Sequence, residues 1–153
     1  MGGNEGTAPK RAALILAAER RCAERGLRLT RLRREVLEIL LERGGPVKAY
    51  DLLEAMRDSG RPIPPATAYR TLGFLLEQGL VHRVNALNAY VACTGEHAGR
   101  RLFLLVCSVC RRTEEIDDPE LYHSMLRRLN ELGFSLAGGS VEVQGICPCC
   151  APG

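Results

Sequence analysis

Two Cys-x-x-Cys pairs constrain the fold of this chain more than any other feature of its sequence. The first pair is Cys107 and Cys110, and the second is Cys147 and Cys150. Such a turn lets two thiolates converge on one metal ion, and two turns complete a tetrahedral shell that suits zinc and leaves no open position for catalysis. The pairs therefore predict a structural zinc site that ties the first strand of a small domain to its last.

Other assignments of the seven cysteines stay open. The second pair lies in the run Cys-Pro-Cys-Cys, so Cys149 is a third candidate ligand there, although the two-residue gap favours Cys147 and Cys150. Cys22 lies among Ala and Arg residues of a predicted helix, which favours packing over ligation. A thiol redox protein is a further alternative, but its active site would carry one Cys-x-x-Cys at a helix start and not two distant pairs.

Length and composition fit a soluble globular protein with one compact domain or two small ones. The chain has 153 residues, and its hydrophobic and charged fractions are ordinary. The longest apolar runs, 12–18 and 102–107, are far shorter than the ~20 residues of a membrane span. We expect no signal peptide, because the first residues contain no apolar core flanked by basic residues. We expect a cytoplasmic protein, where a reducing environment disfavours disulfides and clustered cysteines indicate metal binding.

Charge is distributed unevenly along the chain. Residues 1–83 contain 15 basic and 10 acidic side chains and carry +5, whereas residues 84–153 contain 6 basic and 8 acidic side chains and carry −2. Lys and Arg displace counterions from phosphates, so a basic first half suits a polyanion such as DNA. Charge alone is equally compatible with a solvated surface.

Hydrophobic spacing in the first half predicts helices followed by a hairpin. Thr30 is a plausible N-cap for the second helix, and Gly79 stands where a C-terminal cap would follow the fourth. Short helices and then a hairpin describe a winged helix-turn-helix. The predicted helices lie at 11–25, between Thr30 and Gly44, at 49–56 and at 66–78, and the predicted strands at 80–84 and 89–93.

The pattern changes after Thr94. Strands are predicted at 102–107, 113–116 and 141–146, with a helix opened by Asp118 and Pro119 between the last two. The helix is expected to bury a stripe of five residues, Tyr122, Met125, Leu126, Leu129 and Leu132. The chain is therefore predicted to be α+β. Its expected parts are a disordered N-terminus at 1–9, a winged helix-turn-helix domain at 10–93, a linker at 94–100 and a small α/β domain at 101–153.

Several motifs resemble the ferric-uptake-regulator family, and in particular its zinc-uptake branch. Residues 64–72, PPATAYRTL, are similar to the family's recognition helix, and residues 87–93, LNAYVAC, to the wing of the zinc branch. Residues 29–37 resemble the family's second helix, and the run from Gly145 to Cys150 resembles its C-terminal end. The resemblance spans roughly residues 10–150.

The resemblance implies a homodimer that represses transcription. The first domain would bind a palindromic double-stranded DNA operator, and the second would dimerise. Repression of metal-uptake genes would occur when metal is plentiful. We expect one structural and one regulatory Zn²⁺ site per chain and no contact with a membrane.

The resemblance also indicates residues that contact DNA. Tyr69 and Arg70 match family positions that face it. The residue chemistry agrees, because Arg offers a fork for guanine O6 and N7 or for phosphate, and Tyr stacks on bases or hydrogen-bonds to phosphate. Thr67, early in the same helix, is a phosphate candidate. Lys48 and Tyr50, at the start of the third helix, are further candidates.

A regulatory site is expected on the predicted hairpin. His82 and Cys93 lie on its two arms and match two regulatory zinc ligands of the zinc branch. Glu115 matches a third, and His97 is the nearby imidazole for the fourth, whereas His123 is expected at the surface. One thiolate makes this set softer than an iron or manganese site, which favours zinc. Ligands from both domains would fix the angle between them, and so the spacing of the two recognition helices in the dimer.

The stretch before the first Cys-x-x-Cys pair departs from the family pattern. The family carries histidines there, whereas this chain has Arg100 and Arg101. His97 lies a few residues earlier than the usual ligand, so Glu96 or a water stays an alternative to it. Glu114 stays an alternative to Glu115 as the carboxylate ligand of the regulatory site.

Two further alternatives remain: a structural zinc adaptor with no role in DNA binding, and a repressor of the same family with another signal. A repressor of the same family could respond to iron, manganese or peroxide, although Cys93 and the small number of histidines favour zinc. The sequence contains no Ser/His/Asp pattern, no glycine-rich phosphate loop and no His-Glu-x-x-His motif, so we do not expect an enzyme.

Overall fold

The computed structural model describes residues 8–95, 102–137 and 140–152, and the chain divides into two compact units between Thr94 and Gly95. The α+β prediction is confirmed. Residues 1–7 of the expected disordered N-terminus at 1–9, and most of the expected linker, lie outside the described residues. The expected disorder is wrong for Ala8 and Pro9, which belong to the first helix. The helices are α1 (Ala8–Glu24), α2 (Arg31–Arg43), α3 (Ala49–Asp58), α4 (Pro65–Glu77) and α5 (Pro119–Glu131). The strands are β1 (Val81–Val84), β2 (Ala89–Ala92), β3 (Leu102–Cys107), β4 (Thr113–Ile116) and β5 (Ser140–Gly145).

Helix α1 begins three residues before the start that its sequence pattern predicts. Pro9 lies in its first turn, where a missing N–H breaks no helical hydrogen bond, so the helix extends back to Ala8. The inward side of α1 buries Ile15, Ala18 and Cys22. No helix in the described part of the chain combines the length and hydropathy that crossing a membrane requires.

Helix α2 is the centre of the first unit. The predicted cap is confirmed, because the Thr30 hydroxyl accepts a hydrogen bond from the Arg33 N–H over 3.4 Å. Gly44, with φ of 66°, ends the helix in the left-handed region. The buried face of α2 packs against α1, α4 and β2, and it contributes Val36, Leu37, Leu40 and Leu41 to the core.

The hairpin of β1 and β2 forms the wing, with Val81 opposite Ala92. A short 3-10 turn (Asn85–Leu87) connects the strands. Val47, between α2 and α3, exchanges two backbone hydrogen bonds of 2.8 Å with Tyr90 on β2. These bonds attach the wing to the segment that leads into α3.

The second unit is a three-stranded sheet in the order β4-β3-β5 with α5 packed against β3. Strand β3 pairs antiparallel with β4 and parallel with β5. Helix α5 contacts the sheet through Tyr122, whose ring lies edge-on to Phe103 with the ring centroids 5.7 Å apart. Asp118 caps this helix, since its carboxylate accepts from the Leu121 N–H.

The predicted buried stripe of α5 is largely uncovered within the described single chain. Tyr122 is buried, but Met125, Leu126 and Leu129 are half-buried, and Leu132 is 67% exposed. The prediction of a buried stripe is therefore confirmed for Tyr122 and wrong for Leu132, and the three residues between them are buried only in part. Helical spacing reports which face is apolar, and it does not report what covers that face.

We expect Leu40→Ala to lower the free energy of unfolding by about 3 kcal/mol, because truncating a buried leucine removes its transfer energy and leaves a cavity. Leu40 is 1% exposed at the centre of the first unit. Leu16→Ala in α1, where the side chain is 53% exposed, is the matched control and should cost under about 0.5 kcal/mol. Urea denaturation measures both, and equal losses would contradict this core assignment.

Candidate metal centres and nucleic-acid interface

Helix α4 presents two of the predicted DNA-contacting side chains to solvent. Pro65 occupies its first turn, and its buried face contributes Ala68, Leu72 and Leu75 to the interior. Tyr69 is consequently 56% exposed, and Arg70 beside it is also exposed. Two large polar side chains free of the core can enter a DNA groove without disturbing the packing of the helix.

The other three predicted DNA contacts lie at the N-terminal ends of α3 and α4. Thr67 is half-buried in the first turn of α4, and its carbonyl accepts from the Thr71 hydroxyl over 2.8 Å. Lys48 caps α3 by its backbone and is exposed, and Tyr50 is 66% exposed. Because α3 packs against α4, the first unit contains the helix-turn-helix that the sequence predicts.

The four predicted structural ligands come together at one end of the three-stranded sheet. Cys107 ends β3, and the parallel register places it opposite Gly145, two residues before Cys147. The Sγ atoms of Cys107, Cys110, Cys147 and Cys150 all lie within 4.8 Å of one another. The sulfurs of Cys110 and Cys147 are 3.7 Å apart, which matches the ~3.8 Å edge of a tetrahedron with Zn–S bonds of about 2.3 Å. This donor set fits zinc.

Backbone hydrogen bonds hold both Cys-x-x-Cys turns in shape. The Cys107 carbonyl accepts from Arg111, whose φ of 63° lets the chain reverse, and the Cys147 carbonyl accepts from Cys150 and Ala151. The Cys147 N–H donates to the Cys107 sulfur over 3.4 Å. An N–H directed at sulfur stabilises a thiolate, which is the form that binds metal.

The thiols of this cluster differ in their readiness to ionise. Backbone N–H groups, first that of Cys147 and then that of Cys110, lower the pKa of Cys107 to about 6. Hydrogen bonding with the thiols of Cys147 and then Cys110 raises the pKa of Cys150 to about 12. Without a cation, the cluster ionises at one sulfur and retains a proton at another. A divalent cation replaces such protons, because it binds sulfur as thiolate.

Neither Cys149 nor Cys22, the two other cysteines considered as ligands, belongs to the four-sulfur cluster. Cys149 is exposed and lies outside the four-sulfur cluster, between two residues that belong to it. Cys22 is 1% exposed in the core, and burial raises the pKa of its thiol. A buried thiol that resists ionisation behaves as a small apolar side chain.

The wing brings together two of the predicted regulatory ligands. His82 lies on β1 opposite Val91, and Cys93 follows β2 directly, with its N–H donating to the Leu80 carbonyl over 2.9 Å. A ligating nitrogen of His82 and the Cys93 sulfur lie within 4.8 Å of each other. Cys93 is buried and His82 half-buried. One imidazole and one thiolate at this separation can bind the same zinc ion.

The two candidate carboxylates lie on opposite faces of β4. Glu114 is paired with Leu105 across the strands and forms a 2.6 Å ion pair with Arg112. Glu115, the next residue, points to the other face and is half-buried. His97, together with Glu96, Arg100 and Arg101, lies outside the described residues. His123 is exposed on α5, as predicted.

One residue near the DNA-binding helices was not predicted to have its own role. The Arg33 guanidinium, from the first turn of α2, lies 3.5 Å above the centre of the Phe74 ring on α4. A sequence signal does exist, because a cation in the first turn opposes the helix dipole and implies a partner elsewhere. The identity of that partner depends on how two helices pack, which the spacing of residues does not reveal.

Comparisons with known proteins agree with this geometry. A family model described as the ferric uptake regulator family matches residues 24–144. The chain is 36% identical over 138 residues to the zinc uptake regulation protein of Escherichia coli (strain K12), covering 90% of this chain and 81% of that one. It is 31% identical to the ferric uptake regulation protein of Legionella pneumophila, covering 82% and 92%. A solved zinc uptake regulator in complex with zinc and DNA superposes with a TM-score of 0.82 at 35% identity, covering 92% and 94%.

We expect binding of the first equivalent of zinc, which fills the four-cysteine site of the metal-free protein, to release about 0.7 more protons at about pH 5.5 than at about pH 7.5. The pKa of Cys107, lowered to about 6, leaves that thiol ionised at the higher pH and protonated at the lower one. Calorimetric titration in buffers of different ionisation enthalpy counts the protons. Cys107→Ser is the control and should abolish the difference, and an equal proton count in the wild-type protein at both pH values would contradict the assignment.

Proposed function

Because the chain belongs to the ferric uptake regulator family, we propose that it is a zinc-responsive transcriptional repressor. It binds palindromic operator DNA as a zinc-loaded homodimer and controls zinc uptake genes. The observation that carries the proposal is the His82 and Cys93 pair on the wing, next to the DNA-binding helices. A thiolate in the sensing site selects zinc over the iron and manganese that carboxylate and imidazole sites favour. The zinc-binding, DNA-bound relative supports the same conclusion.

Two further ligands complete the regulatory site in this proposal. A closed tetrahedral zinc site needs four protein donors, and the wing supplies two. We assign the others to Glu115, because Glu114 is engaged with Arg112, and to His97. When bound, zinc supplies a cross-link among imidazole, thiolate and carboxylate donors. His82 and Cys93 thereby tie the wing to residues outside the first unit, which stabilises the DNA-competent arrangement by differential affinity.

The structural site has a separate task. Cys107, Cys110, Cys147 and Cys150 hold the ends of β3 and β5 together, and their closed thiolate shell leaves no position for substrate or water. We therefore assign one structural and one regulatory Zn²⁺ to each chain. We also place the protein among regulators rather than enzymes, and in the cytoplasm, where the chromosome lies and free thiols persist.

DNA recognition is assigned to the first unit, residues 10–93. Arg70 is positioned to donate to a guanine edge and Tyr69 to contact a base or phosphate in the major groove. Thr67, Lys48 and Tyr50 contribute phosphate contacts, which fix the register without specifying sequence. The excess of basic residues in the first half of the chain favours this polyanion.

Dimerisation is assigned to the second unit, residues 101–153, with the linker at 94–100. The apolar stripe of α5 is incompletely covered within one chain, and Leu132 is 67% exposed. Uncovered stripes of this kind mark protein interfaces. A second copy supplies the missing cover, and it also creates the two-fold symmetry that a palindromic operator requires.

Two alternatives are less well supported. An iron-, manganese- or peroxide-responsive repressor shares the fold, and ferric relatives are found, but Cys93 on the wing favours zinc. A thiol redox protein would need an accessible dithiol at a helix start. Here Cys107 ends a strand, Cys147 follows one, and all four sulfurs converge on one point.

We expect the wild-type protein to hold about two zinc ions per chain in zinc-buffered solution, one of which mild chelation removes. Loss of this labile ion should abolish binding to a duplex selected from a random library by the zinc-loaded protein. His82→Ala and Cys93→Ser should each remove the labile ion and leave the tight one. Atomic absorption and fluorescence anisotropy measure the two quantities. DNA binding restored by Fe²⁺ but not by buffered Zn²⁺ would exclude the zinc assignment.

Replacement of both Tyr69 and Arg70 by Ala should leave two zinc ions bound and remove specific DNA binding. Loss of one Arg contact to a base costs about 1–3 kcal/mol, so the pair should reduce affinity to the non-specific level. Lys10→Ala, at the exposed start of α1, is the control for lost charge. A double variant that still prefers the selected duplex would contradict the assigned interface.

We expect Leu129→Glu on α5 to convert the dimer to monomer, because the interface would bury an unpaired carboxylate. Ser124→Glu introduces the same charge on the exposed, opposite side of the helix and should leave the dimer intact. Sedimentation velocity of the zinc-loaded proteins distinguishes the two. A dimeric Leu129→Glu protein would place the interface elsewhere.

A further inference from the structure

Arg33 joins three parts of the first unit through contacts that no other arginine of α2 makes. Its guanidinium carbon lies 3.5 Å from the centre of the Phe74 ring on α4. Its Nη1 atom donates to the Arg28 carbonyl, between α1 and α2, over 2.8 Å. The side chain is half-buried. The face of the guanidinium therefore contacts α4, and its edge contacts the segment before α2.

The neighbouring arginines show that this arrangement is specific to Arg33. Arg31 pairs with Glu35, and Arg34 pairs with Glu19 and Glu38. Among the described residues, Arg33 has no acidic partner. It also lies in the first turn of α2, where the helix dipole disfavours a cation. The stack on Phe74 and the bond to a carbonyl offset that cost. A planar guanidinium makes both contacts at once, the first with its face and the second with its edge.

The position of Phe74 explains what the contact can do. It lies four residues after Arg70 on α4, so the two side chains occupy the same face of the helix on successive turns. Leu72 and Leu75 of α4 are buried in the same apolar cluster as the core residues of α2, and Phe74 packs against that cluster. Apolar contacts are non-directional, whereas a stacked guanidinium accepts only a narrow range of ring orientations.

We propose that Arg33 is a positioning residue for DNA recognition, which clamps Phe74 and fixes the rotation of α4 about its axis. That rotation sets the direction in which Arg70 and Tyr69 enter the major groove. Arg33 acts through Phe74 and touches neither base nor phosphate. This inference rests on the proposed DNA-binding function and adds to it a determinant of specificity.

The test compares Arg33→Ala, Phe74→Leu and the double variant in the full-length, zinc-loaded protein. Affinity is measured by anisotropy, as a function of salt, for a duplex selected from a random library by the wild-type protein and for a scrambled duplex. Arg34→Ala is the matched control, because it removes the same charge from the next position of the same helix. All affinities are normalised to the active fraction, so that loss of folded protein does not alter them.

We expect Arg33→Ala to weaken binding to the selected duplex by about 3- to 30-fold, the range of a partly desolvated cation–π contact. Its affinity for the scrambled duplex should change no more than that of Arg34→Ala. The double variant should be no weaker than the weaker single variant, because both remove one contact. Arg33→Lys, which keeps the charge, should not restore specificity.

Three results would overturn the inference. A salt slope reduced by about 0.9 in Arg33→Ala would identify a direct phosphate contact. Additive effects of the two single changes, or an Arg33→Ala protein as discriminating as Arg34→Ala, would show that Arg33 does not act through Phe74. A wild-type protein that does not distinguish the two duplexes would overturn the proposed function itself, and this inference with it.

Discussion

The convergence of four thiols at the ends of β3 and β5 is the constraint on which the second unit depends. These strands are parallel neighbours, and α5 lies between them in sequence, so their pairing closes a long loop within a very small domain. A domain of this size buries a small share of its surface, so its apolar core alone leaves it only marginally stable. A closed metal site at the strand ends secures the pairing without apolar residues. The apolar stripe of α5, which we propose as the dimer interface, lies outside this site.

The first unit is stabilised differently, by an ordinary apolar core around α2. Helix α4 commits one face to that core, and the residues assigned to DNA stand on the rest of its surface. The wing commits its inner residues in the same way, and His82 and Cys93 remain at its margin. The residues assigned to DNA recognition on α4 include the exposed Tyr69 and Arg70, whereas Cys93, assigned to metal sensing, is itself buried.

Local patterns predicted most of this architecture. Cap residues such as Thr30, the hairpin and both Cys-x-x-Cys turns depend on neighbours in sequence, and the structure contains all of them. The stripe on α5 was predicted to be buried because periodicity cannot separate cover within a chain from cover by a partner. The choice between Glu114 and Glu115 depends on which face of β4 an arginine occupies. The stack of Arg33 on Phe74 depends on helix packing, so no spacing rule predicts it.

Two hydrogen bonds between Val47 and Tyr90 join the wing to the segment that leads into α3. Tyr90 is three residues before Cys93, and Val47 is two residues before the start of α3. Only a few backbone bonds therefore separate the residue that we propose as a zinc ligand from the start of that helix. If the backbone were not bonded between Val47 and Tyr90, the wing could move without moving α3. Because these bonds are in place, a movement of the wing carries the start of α3 with it.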